Sequence, residues 1–509
     1  MGCFFCWIVV SFQRGIAREI EAQNKWAQRV EMSYFFVLSA DDALLRSPSS
    51  SRTRTSMRPT LALQVRGGGL GLLMCSHLPR KSVVPAPLSR RAVPIYRPNH
   101  SPYYVGLDRV REDPYDRVAN PHGVIQLGLS DNKLCLDLIE DWMSKHFESS
   151  AIGGGDFAMY QPFDGMPEMK LAMAGFMSKV LGGTLSFDPS NVVLTAGATP
   201  AIEILCFCLA DHGNAFLVPT PYYPGFDRDM TWRTGVEVIP VHCRSADSFT
   251  LSITALDQAF DQAMKKGLKV SGVLISNPSN PVGNLLSRDM LCNLLEFARE
   301  KNIHIISDEI FAGSVHGDAE FVSMLEILDL VEYDKGRVHV VYGLSKDLSV
   351  AGFRVGAIHS YNEDVLAASK KLTRFSSISS LTQRLLVPML TDSGFINTFL
   401  GTNRDRSRET YKLFVEGLEQ LGVNYLDSVA GSYCWVDMGG FMSSYSEKGE
   451  LELWEKLLEV SKVNATPGSA CHCAEPGWFR CCFTTILKDD IPVVMDRINK
   501  VAKLCKHAR

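Results

Sequence analysis

Seven short runs of apolar and β-branched residues recur along this 509-residue chain, and segments with helical periodicity separate most of them. The runs are 191–197, 215–219, 236–241, 270–276, 303–307, 338–342 and 354–359. Residues 253–266 and 286–301 are two of the helical segments. Strands that alternate with helices in this way predict a mostly parallel sheet covered by helices on both faces. We therefore predict an α/β fold whose large domain, residues 155–392, contains a seven-stranded, mostly parallel sheet.

The chain on either side of this domain shows a different arrangement of apolar residues. A long helix is predicted at about 394–421, strands at 432–438 and 478–485, and helices at 451–461 and 490–505. Strands and helices that do not alternate are typical of an α+β arrangement. We predict that residues 96–154 and 393–509 together form a smaller α+β domain.

Residues 1–95 form a basic leader, for which we predict poor order and assign no role. Residues 1–97 contain 14 Lys and Arg against 5 Asp and Glu, whereas the whole chain has a net charge of −4. The rest of the chain is therefore acidic, which argues against nucleic acid as its main partner. A basic leader fits a tail, a targeting segment or a membrane-proximal arm.

An apolar run at residues 3–12 raises the question of a membrane tether. The run is too short to span a bilayer, which takes ~20 apolar residues. The Arg- and Ser-rich residues 46–58 would suit an organelle transit peptide or a disordered segment. We predict a cytoplasmic protein, with membrane association or a plastid location through the leader as alternatives.

Fourteen cysteines are scattered along the chain instead of forming a disulfide framework. Cys471 and Cys473 flank His472, and this triplet could be imagined as a set of metal ligands. No second Cys/His pair at zinc-site spacing accompanies it. We therefore predict reduced thiols and no bound metal.

A lysine and an arginine stand eight positions apart on a turn of small residues between two predicted strands. Lys346 follows the run 338–342, and Arg354 precedes the apolar residues 355–358. Apolar surroundings lower the pKa of a lysine, which suits an amine that forms a Schiff base. The arginine can bind a phosphate through two parallel hydrogen bonds. Together they predict a phosphate-bearing cofactor attached to the lysine.

A second phosphate-binding feature is predicted at residues 195–201, Thr-Ala-Gly-Ala-Thr-Pro-Ala, which follow the first predicted strand and open a helix. Glycine lets the backbone approach an anion, and the free N–H groups at the start of the helix point at it. The hydroxyl of Thr199 adds a donor. Taken alone, the segment could be an ordinary N-cap turn.

Polar and aromatic side chains follow other predicted strands. Asp308 ends the run 303–307, where a buried carboxylate needs a positive partner such as a protonated pyridine nitrogen. A structural ion pair or a helix cap is the alternative. Asn280 stands in a Pro- and Gly-rich turn that can aim its amide at a cofactor oxygen or a substrate carboxylate. One of the adjacent Tyr222 and Tyr223 could stack on a planar cofactor.

Arg480 lies inside an apolar predicted strand. An inward charge there is costly unless an anion meets it. A guanidinium matches the carboxylate of an amino acid in a bidentate pair. The alternative is an arginine at the strand edge that faces water.

Taken together, these motifs resemble the plant 1-aminocyclopropane-1-carboxylate (ACC) synthase group of the class I and II aminotransferases, which are fold-type I pyridoxal-phosphate enzymes. The resemblance covers about residues 118–490. Its most specific pieces are Pro219–Asp229, Trp232–Val236, Asn277–Gly283, Ser307–Ile310 and Gly468–Phe483. It implies pyridoxal 5'-phosphate as the cofactor and a homodimer in which the neighbouring subunit completes each active site.

The resemblance also implies a role for each candidate residue. Lys346 would form the Schiff base and move the Cα proton, and Asp308 would pair with the pyridine nitrogen. Tyr223 would stack on the ring, and Arg480 would bind the substrate carboxylate. The other cofactor-binding residues are Ala198, Thr199 and Arg354 at the phosphate, Asn280 at the phenolic oxygen, and Phe311 and Ser345.

This chain departs from the synthase pattern on the substrate side. Phe163 and Phe311 stand where the synthases usually have tyrosines, so two ring hydroxyls are lost. Gly343 replaces a phosphate-binding serine, and Asp131 replaces a glutamate near the substrate. A lost hydrogen bond to a charged oxygen costs ~1.5–3 kcal/mol. Together the departures resemble the divergent plant branch regarded as amino-acid aminotransferases.

These observations predict an aminotransferase that acts on an amino acid and a 2-oxo acid. The alternative is ACC synthase, in which the same Cα carbanion displaces methylthioadenosine from S-adenosylmethionine. A third reading is a catalytically weak cofactor-binding protein. The third reading is disfavoured because the residues that such chemistry needs are intact, namely Lys346, Asp308, Arg354 and Arg480.

Overall fold

A computed structural model describes residues 87–97, 100–151, 158–182, 185–330 and 333–507. The predictions for most of the leader, residues 1–86, and for the domain boundary after residue 154 lie outside these ranges. The last residues of the predicted leader include a short helix, α1 (Ala92–Tyr96). Among the described residues, no helix is both long and apolar enough to cross a bilayer.

The remaining elements follow the predicted order of strands and helices. The strands are β1 (Ile125–Gln126), β2 (Val192–Thr195), β3 (Ala215–Thr220), β4 (Glu237–His242), β5 (Val270–Ser276), β6 (His304–Asp308), β7 (Val338–Gly343), β8 (Gly356–Ser360), β9 (Asn424–Leu426), β10 (Tyr433–Asp437), β11 (Val463–Asn464), β12 (Thr466–Pro467) and β13 (Trp478–Cys482). The helices are α2 (Pro102–Glu112), α3 (Leu136–Ala151), α4 (Pro167–Val180), α5 (Ala198–Leu209), α6 (Phe226–Thr231), α7 (Ile253–Lys265), α8 (Arg288–Lys301), α9 (Met324–Leu330), α10 (Leu344–Asp347), α11 (Glu363–Leu372), α12 (Ser380–Thr391), α13 (Ser393–Gln420), α14 (Glu447–Glu455) and α15 (Ile491–His507).

The seven predicted strands form one sheet in the order β2-β8-β7-β6-β5-β3-β4. Neighbours from β7 to β4 pair in parallel, whereas β8 pairs antiparallel with both β7 and β2. The prediction of a seven-stranded, mostly parallel sheet in an α/β fold is therefore confirmed. Apolar residues fill both faces of the central strands, which explains why they appear as continuous apolar runs.

Side-chain caps explain why several helices begin or end close to the residues predicted from the sequence. The hydroxyl of Ser252 accepts a hydrogen bond from the N–H of Ala255 at the start of α7, and Ser287 does the same for Met290 in α8. Asn302 ends α8 in the left-handed conformation, with φ 55°. Such caps satisfy N–H groups that have no partner inside the helix, so the helices begin where the sequence predicts.

A second sheet is antiparallel and lies in the C-terminal part of the chain. Its order is β12-β13-β10-β9, and β1 pairs separately with β11. A distinct hydrophobic core joins this sheet to α13 and α15. The strand predicted at 478–485 ends earlier, at Cys482, and beyond it the hydroxyl of Thr485 donates a hydrogen bond to the Gln126 carbonyl. The boundaries of the large and small domains stay a prediction.

Candidate active site

A cavity of about 220 Å³ opens where several parallel strands end. The carboxyl ends of parallel strands meet at one edge of a sheet, which is where ligands bind in α/β folds. The residues that line the cavity are Tyr103, Leu129, Ser130, Asp131, Ala198, Thr199, Ile202, Tyr223, Phe226, Asp229, Asn280, Asp308, Ile310, Phe311, Ser345, Lys346, Ala351, Arg354 and Tyr433. Ten of the predicted site residues are among them.

The turn that carries Lys346 is fixed by its neighbour in sequence. Asp347 is buried and accepts hydrogen bonds from the N–H of Gly313 (2.8 Å) and the hydroxyls of Ser314 (2.5 Å) and Tyr342 (2.7 Å). These bonds tie the turn to the loop after β6. The lysine is therefore held against the residues that follow Asp308 by a compact network of hydrogen bonds.

The amine of Lys346 projects into the cavity. Its Nζ donates a hydrogen bond to the Ser130 carbonyl at 2.6 Å and lies 5.9 Å from the centre of the Phe311 ring. Burial lowers the pKa of Lys346 to about 8, although the nearby Asp131 carboxylate acts in the opposite direction. A neutral amine is thus available near physiological pH, as Schiff-base formation requires.

The phosphate cradle predicted at residues 195–201 faces the Arg354 guanidinium. Gly197 has φ 100°, and a Cβ atom there would collide with the Arg354 side chain. Arg354 donates hydrogen bonds to the carbonyls of Ala196 (3.3 Å) and Ala351 (3.1 Å). The N-terminus of α5, the Thr199 hydroxyl and the Arg354 guanidinium converge on a gap that a Cβ atom at residue 197 would fill. This donor set fits a phosphate group.

Asp308 is a buried carboxyl group that faces the cavity. One of its oxygens accepts a hydrogen bond from the N–H of Ile310 at 3.3 Å, and burial raises its pKa to about 7. A positive partner would restore its ionised form. The protonated ring nitrogen of pyridoxal phosphate is such a partner, so the donor and acceptor set fits this cofactor at both ends.

Aromatic rings form one wall of the cavity. The Tyr223 ring meets the Tyr103 ring edge to face, with centroids 6.2 Å apart. Tyr223 is a predicted site residue, whereas Tyr103 and Tyr433 are not, because they come from α2 and β10, outside the predicted large domain. No local pattern distinguishes these two tyrosines from ordinary core aromatics.

Arg480 is fully buried behind this wall and does not line the cavity itself. Its Nη1 donates to the side-chain oxygen of Asn280 at 3.0 Å, and its Nη2 donates to the Gly128 carbonyl at 2.7 Å. The guanidinium carbon lies 4.4 Å from the centre of the Tyr433 ring. Its described partners are neutral, so a buried positive charge remains to be matched by an anion such as a substrate carboxylate.

The structure does not bring every predicted residue to the cavity of the described chain. Phe163 is not among the lining residues, and its ring lies 6.4 Å from the Tyr160 ring and 5.3 Å from the Arg374 guanidinium. Asp131 and Phe311 do line the cavity. The Asp131 segment is held by Thr484, whose hydroxyl donates to the Asp131 carbonyl at 2.9 Å.

The residues of the Cys471–Cys473 triplet pack against neighbouring side chains in the structure. The His472 ring stacks on Tyr222 with centroids 4.5 Å apart, and its Nε2 lies 2.8 Å from an Asp227 carboxylate oxygen. Burial raises the pKa of both cysteine thiols to about 12. In the part of the chain that the structure describes, no three or more His, Cys, Asp or Glu side chains are grouped to hold a metal ion.

The cradle geometry makes Gly197→Ala a sensitive test of phosphate binding. The added methyl group would displace the Arg354 guanidinium and force a side chain into the left-handed region. We expect cofactor affinity to fall about 10- to 100-fold, the effect of losing one charged hydrogen bond. Fluorescence titration of the cofactor-free protein measures this change. Gly401→Ala in α13, where a Cβ atom meets nothing within 4 Å, is the matched control.

The lowered pKa of Lys346 sets the pH dependence of cofactor capture. The amine attacks the cofactor aldehyde only when neutral, so at saturating pyridoxal phosphate the capture rate should rise about tenfold per pH unit below 8 and level off above it. An unshifted lysine would give a rate that still rises at pH 10. Stopped-flow absorbance after mixing with pyridoxal phosphate measures the profile. A rate that keeps rising beyond pH 9 would contradict the assigned environment of the lysine.

A comparison with protein families matches residues 124–498 to the model of aminotransferase class I and II. A protein of Arabidopsis thaliana described as "Probable aminotransferase ACS12" is 60% identical over 423 residues, covering 82% of this chain and 86% of that protein. 1-Aminocyclopropane-1-carboxylate synthase 6 of Oryza sativa subsp. japonica is 56% identical over 434 residues, covering 83% and 80%. Further relatives at 44–47% identity carry the synthase name as well.

Solved structures show the same fold. The aspartate aminotransferase of Thermus thermophilus with maleate aligns with a TM-score of 0.65 at 20% identity, covering 82% of this chain and all of that one. A similarity at this level of identity shows a shared fold and does not indicate the substrate. The fold is thus shared with enzymes of known structure.

Proposed function

Because this chain belongs to the class I and II aminotransferase family, and to its plant ACC synthase-like branch of pyridoxal-phosphate enzymes, we propose that it is an aminotransferase. It would transfer the amino group of an amino acid to a 2-oxo acid. The observation that carries the proposal is the apolar Phe311 ring beside Lys346, in the place of a synthase tyrosine.

The residues of this chain divide the chemistry among them. Arg354, Thr199 and the N-terminus of α5 would hold the phosphate, and Asp308 would keep the ring nitrogen protonated. When bound, pyridoxal phosphate supplies an electron sink for the bond that breaks at the amino-acid Cα. The amine of Lys346, in its neutral form, would accept the proton from the substrate Cα and donate it to the cofactor carbon.

Substrate orientation would come from Arg480, which lies against the Tyr103 and Tyr433 rings of the aromatic wall. Arg480 would take the α-carboxylate in a bidentate pair, which holds Cα above the cofactor and near the lysine amine. Asn280, already bound to Arg480 at 3.0 Å, would keep the guanidinium plane in position. Arg480 is fully buried, so little water reaches its guanidinium, which strengthens the pair.

Two observations support transamination within this branch. The most similar relative described above, at 60% identity, is a probable aminotransferase. The hydroxyl groups absent at Phe311 and Phe163 remove two hydrogen bonds that the synthase pattern supplies. The amino donor that the enzyme prefers is open to experiment, and aspartate and the aromatic amino acids are the first to test.

ACC synthase activity is the second candidate function. The names of most of the relatives favour this reading more than a general aminotransferase, because the rice protein at 56% identity and several others are synthases. All cofactor residues would serve either reaction. The two candidates therefore differ only in what the substrate side of the cavity accepts.

Steady-state assays separate the two candidates. Purified protein would be supplied with S-adenosylmethionine in one arm, and with aspartate, phenylalanine or tyrosine plus 2-oxoglutarate in the other. We expect oxo-acid production in the second arm and no ACC in the first. ACC formation without any transamination would establish the synthase, and no turnover despite bound cofactor would favour a cofactor-binding protein without catalysis.

Restoring a tyrosine hydroxyl tests the assigned position of Phe311. Phe311→Tyr would place a donor near the cofactor's phenolic oxygen, and we expect cofactor affinity to rise about tenfold, or ~1.5 kcal/mol. Dissociation constants from cofactor fluorescence measure the change. Phe375→Tyr, at a ring that is 73% exposed, is the control. Unchanged affinity would show that Phe311 does not face that oxygen.

We further propose a homodimer, in which Phe163 approaches the cavity of the neighbouring subunit, and a cytoplasmic location. The position of Phe163 away from the cavity of its own chain motivates the first point. Light scattering should give twice the chain mass of 56.4 kDa. A monomer with full activity would contradict shared active sites.

A further inference from the structure

One titratable group that lines the cavity has no part in the reaction described above. Asp229, on α6, accepts a hydrogen bond from the Thr199 hydroxyl at 3.1 Å, and Thr199 belongs to the phosphate cradle. Both side chains face the same cavity as Arg354. An ionised carboxylate in this position would repel a phosphate dianion.

The direction of the Thr199 hydrogen bond decides whether the threonine hydroxyl presents a proton or its lone pairs to the phosphate. When Asp229 is ionised, the Thr199 hydroxyl donates its proton to the carboxylate, so its lone pairs face the cavity. When Asp229 is neutral, its own O–H can donate to Thr199, which turns the threonine proton toward the cavity. A phosphate oxygen accepts hydrogen bonds, so only the second arrangement matches it.

The surroundings of Asp229 favour the neutral form. The charged and titratable groups around it are Glu203 and the Cys206 thiol on α5, Asp308 at the end of β6, Arg228 on α6, Arg354 before β8, and the phenols of Tyr104 and Tyr223. Two guanidinium groups thus oppose two carboxyl groups. Burial then has the largest effect and raises the pKa of Asp229 to about 7.

We propose that Asp229 completes the phosphate site as a neutral acid, by donating a hydrogen bond to Thr199 and so directing the threonine hydroxyl at the cofactor phosphate. Cofactor retention then depends on the protonation of this one side chain. Asp229 is a positioning residue, since it acts on the phosphate through Thr199. The inference concerns cofactor binding and holds for either candidate reaction.

The sign of the pH effect follows from the acid form. Below pH 7 Asp229 is neutral and the cradle is complete, and above pH 7 the competent fraction falls. At pH 8.5 about 3% of the protein would remain competent, so apparent affinity should be about 30-fold weaker than at pH 6. Lys346 capture has the opposite pH dependence, so the probe must not involve the lysine.

Pyridoxamine 5'-phosphate is a suitable probe because it lacks the aldehyde that reacts with Lys346. Its dissociation constant would be measured by fluorescence on the cofactor-free full chain from pH 6 to 8.5. Asp229→Asn keeps a donor that does not titrate, so the ratio of wild-type to variant dissociation constants cancels the titration of the ligand. We expect this ratio to rise about 30-fold across the range.

A ratio that stays constant with pH would overturn the proposal, whether the variant binds well or poorly. Thr199→Val supplies a second test that does not alter Asp229. In that background the Asp229→Asn exchange should no longer change the pH dependence, because the hydroxyl that relays the effect is gone. If the ratio still rises in the Thr199→Val protein, the carboxyl group acts directly on the ligand and the relay is wrong.

Discussion

Lys346→Ala should abolish turnover, with kcat/KM lower by about 10⁴-fold or more. The amine both attaches the cofactor and moves the Cα proton, so one substitution removes two functions. A fall of 10⁴ corresponds to about 5.5 kcal/mol of lost transition-state stabilisation. The amine makes one described hydrogen bond, to the Ser130 carbonyl, so the fold should tolerate the change.

The measurement combines activity with the absorbance of the attached cofactor. We expect the visible band of the lysine-bound cofactor to disappear while the thermal midpoint stays within a few degrees of the wild type. Lys371→Ala, at an exposed position of α11, serves as the control and should retain both activity and absorbance. Residual activity above about one per cent of the wild type would show that another base moves the proton.

Arg480→Gln should weaken use of amino acids strongly without releasing the cofactor. Removing one partner of a buried charged pair costs about 2–5 kcal/mol, which is about 30- to 5000-fold in kcat/KM. Arg480→Lys should lie between the wild type and Gln, because it keeps the charge but loses the planar fork. The loss should appear mainly in KM, since the guanidinium holds the carboxylate before and during the reaction.

Cofactor absorbance distinguishes this outcome from general damage to the site. Arg480 contacts Asn280, Gly128 and two tyrosine rings. Of these, only Asn280 is a predicted cofactor ligand, at the phenolic oxygen, and none binds the phosphate. Arg299→Gln, at an exposed arginine paired with Glu296, is the control, because surface ion pairs contribute little. A less than threefold change in KM for Arg480→Gln would mean that the substrate carboxylate binds elsewhere.

Local sequence patterns predict the fold well where strands are continuous and buried. The seven strands of the main sheet and the helices α7, α8 and α13 lie within a few residues of their predicted positions. By contrast, β1, β11 and β12 are two residues long, which is too short for any periodicity to show. Their pairing depends on contacts between distant parts of the chain.

The residues of the site also fall into a predictable and an unpredictable group. Side chains that follow strand ends, such as Asp308 and Lys346, are predictable because parallel strands deliver their carboxyl ends to one edge. Tyr103 and Asp229 are not among the predicted site residues. Each reaches the cavity from a helix, where no strand end indicates a site residue, although Asp229 closes one of the family-specific segments. The position of Phe163 could not be predicted either, because it depends on how distant elements pack.

The most direct test of the proposed transamination is a single half-reaction without an acceptor. The cofactor-loaded protein would be mixed with an excess of aspartate or phenylalanine, and the absorbance and the oxo acid would be followed together. We expect the lysine-bound band to convert fully to that of the amine form, with one 2-oxo acid released per cofactor. An unchanged spectrum with both amino acids, together with ACC release from S-adenosylmethionine, would contradict the proposal.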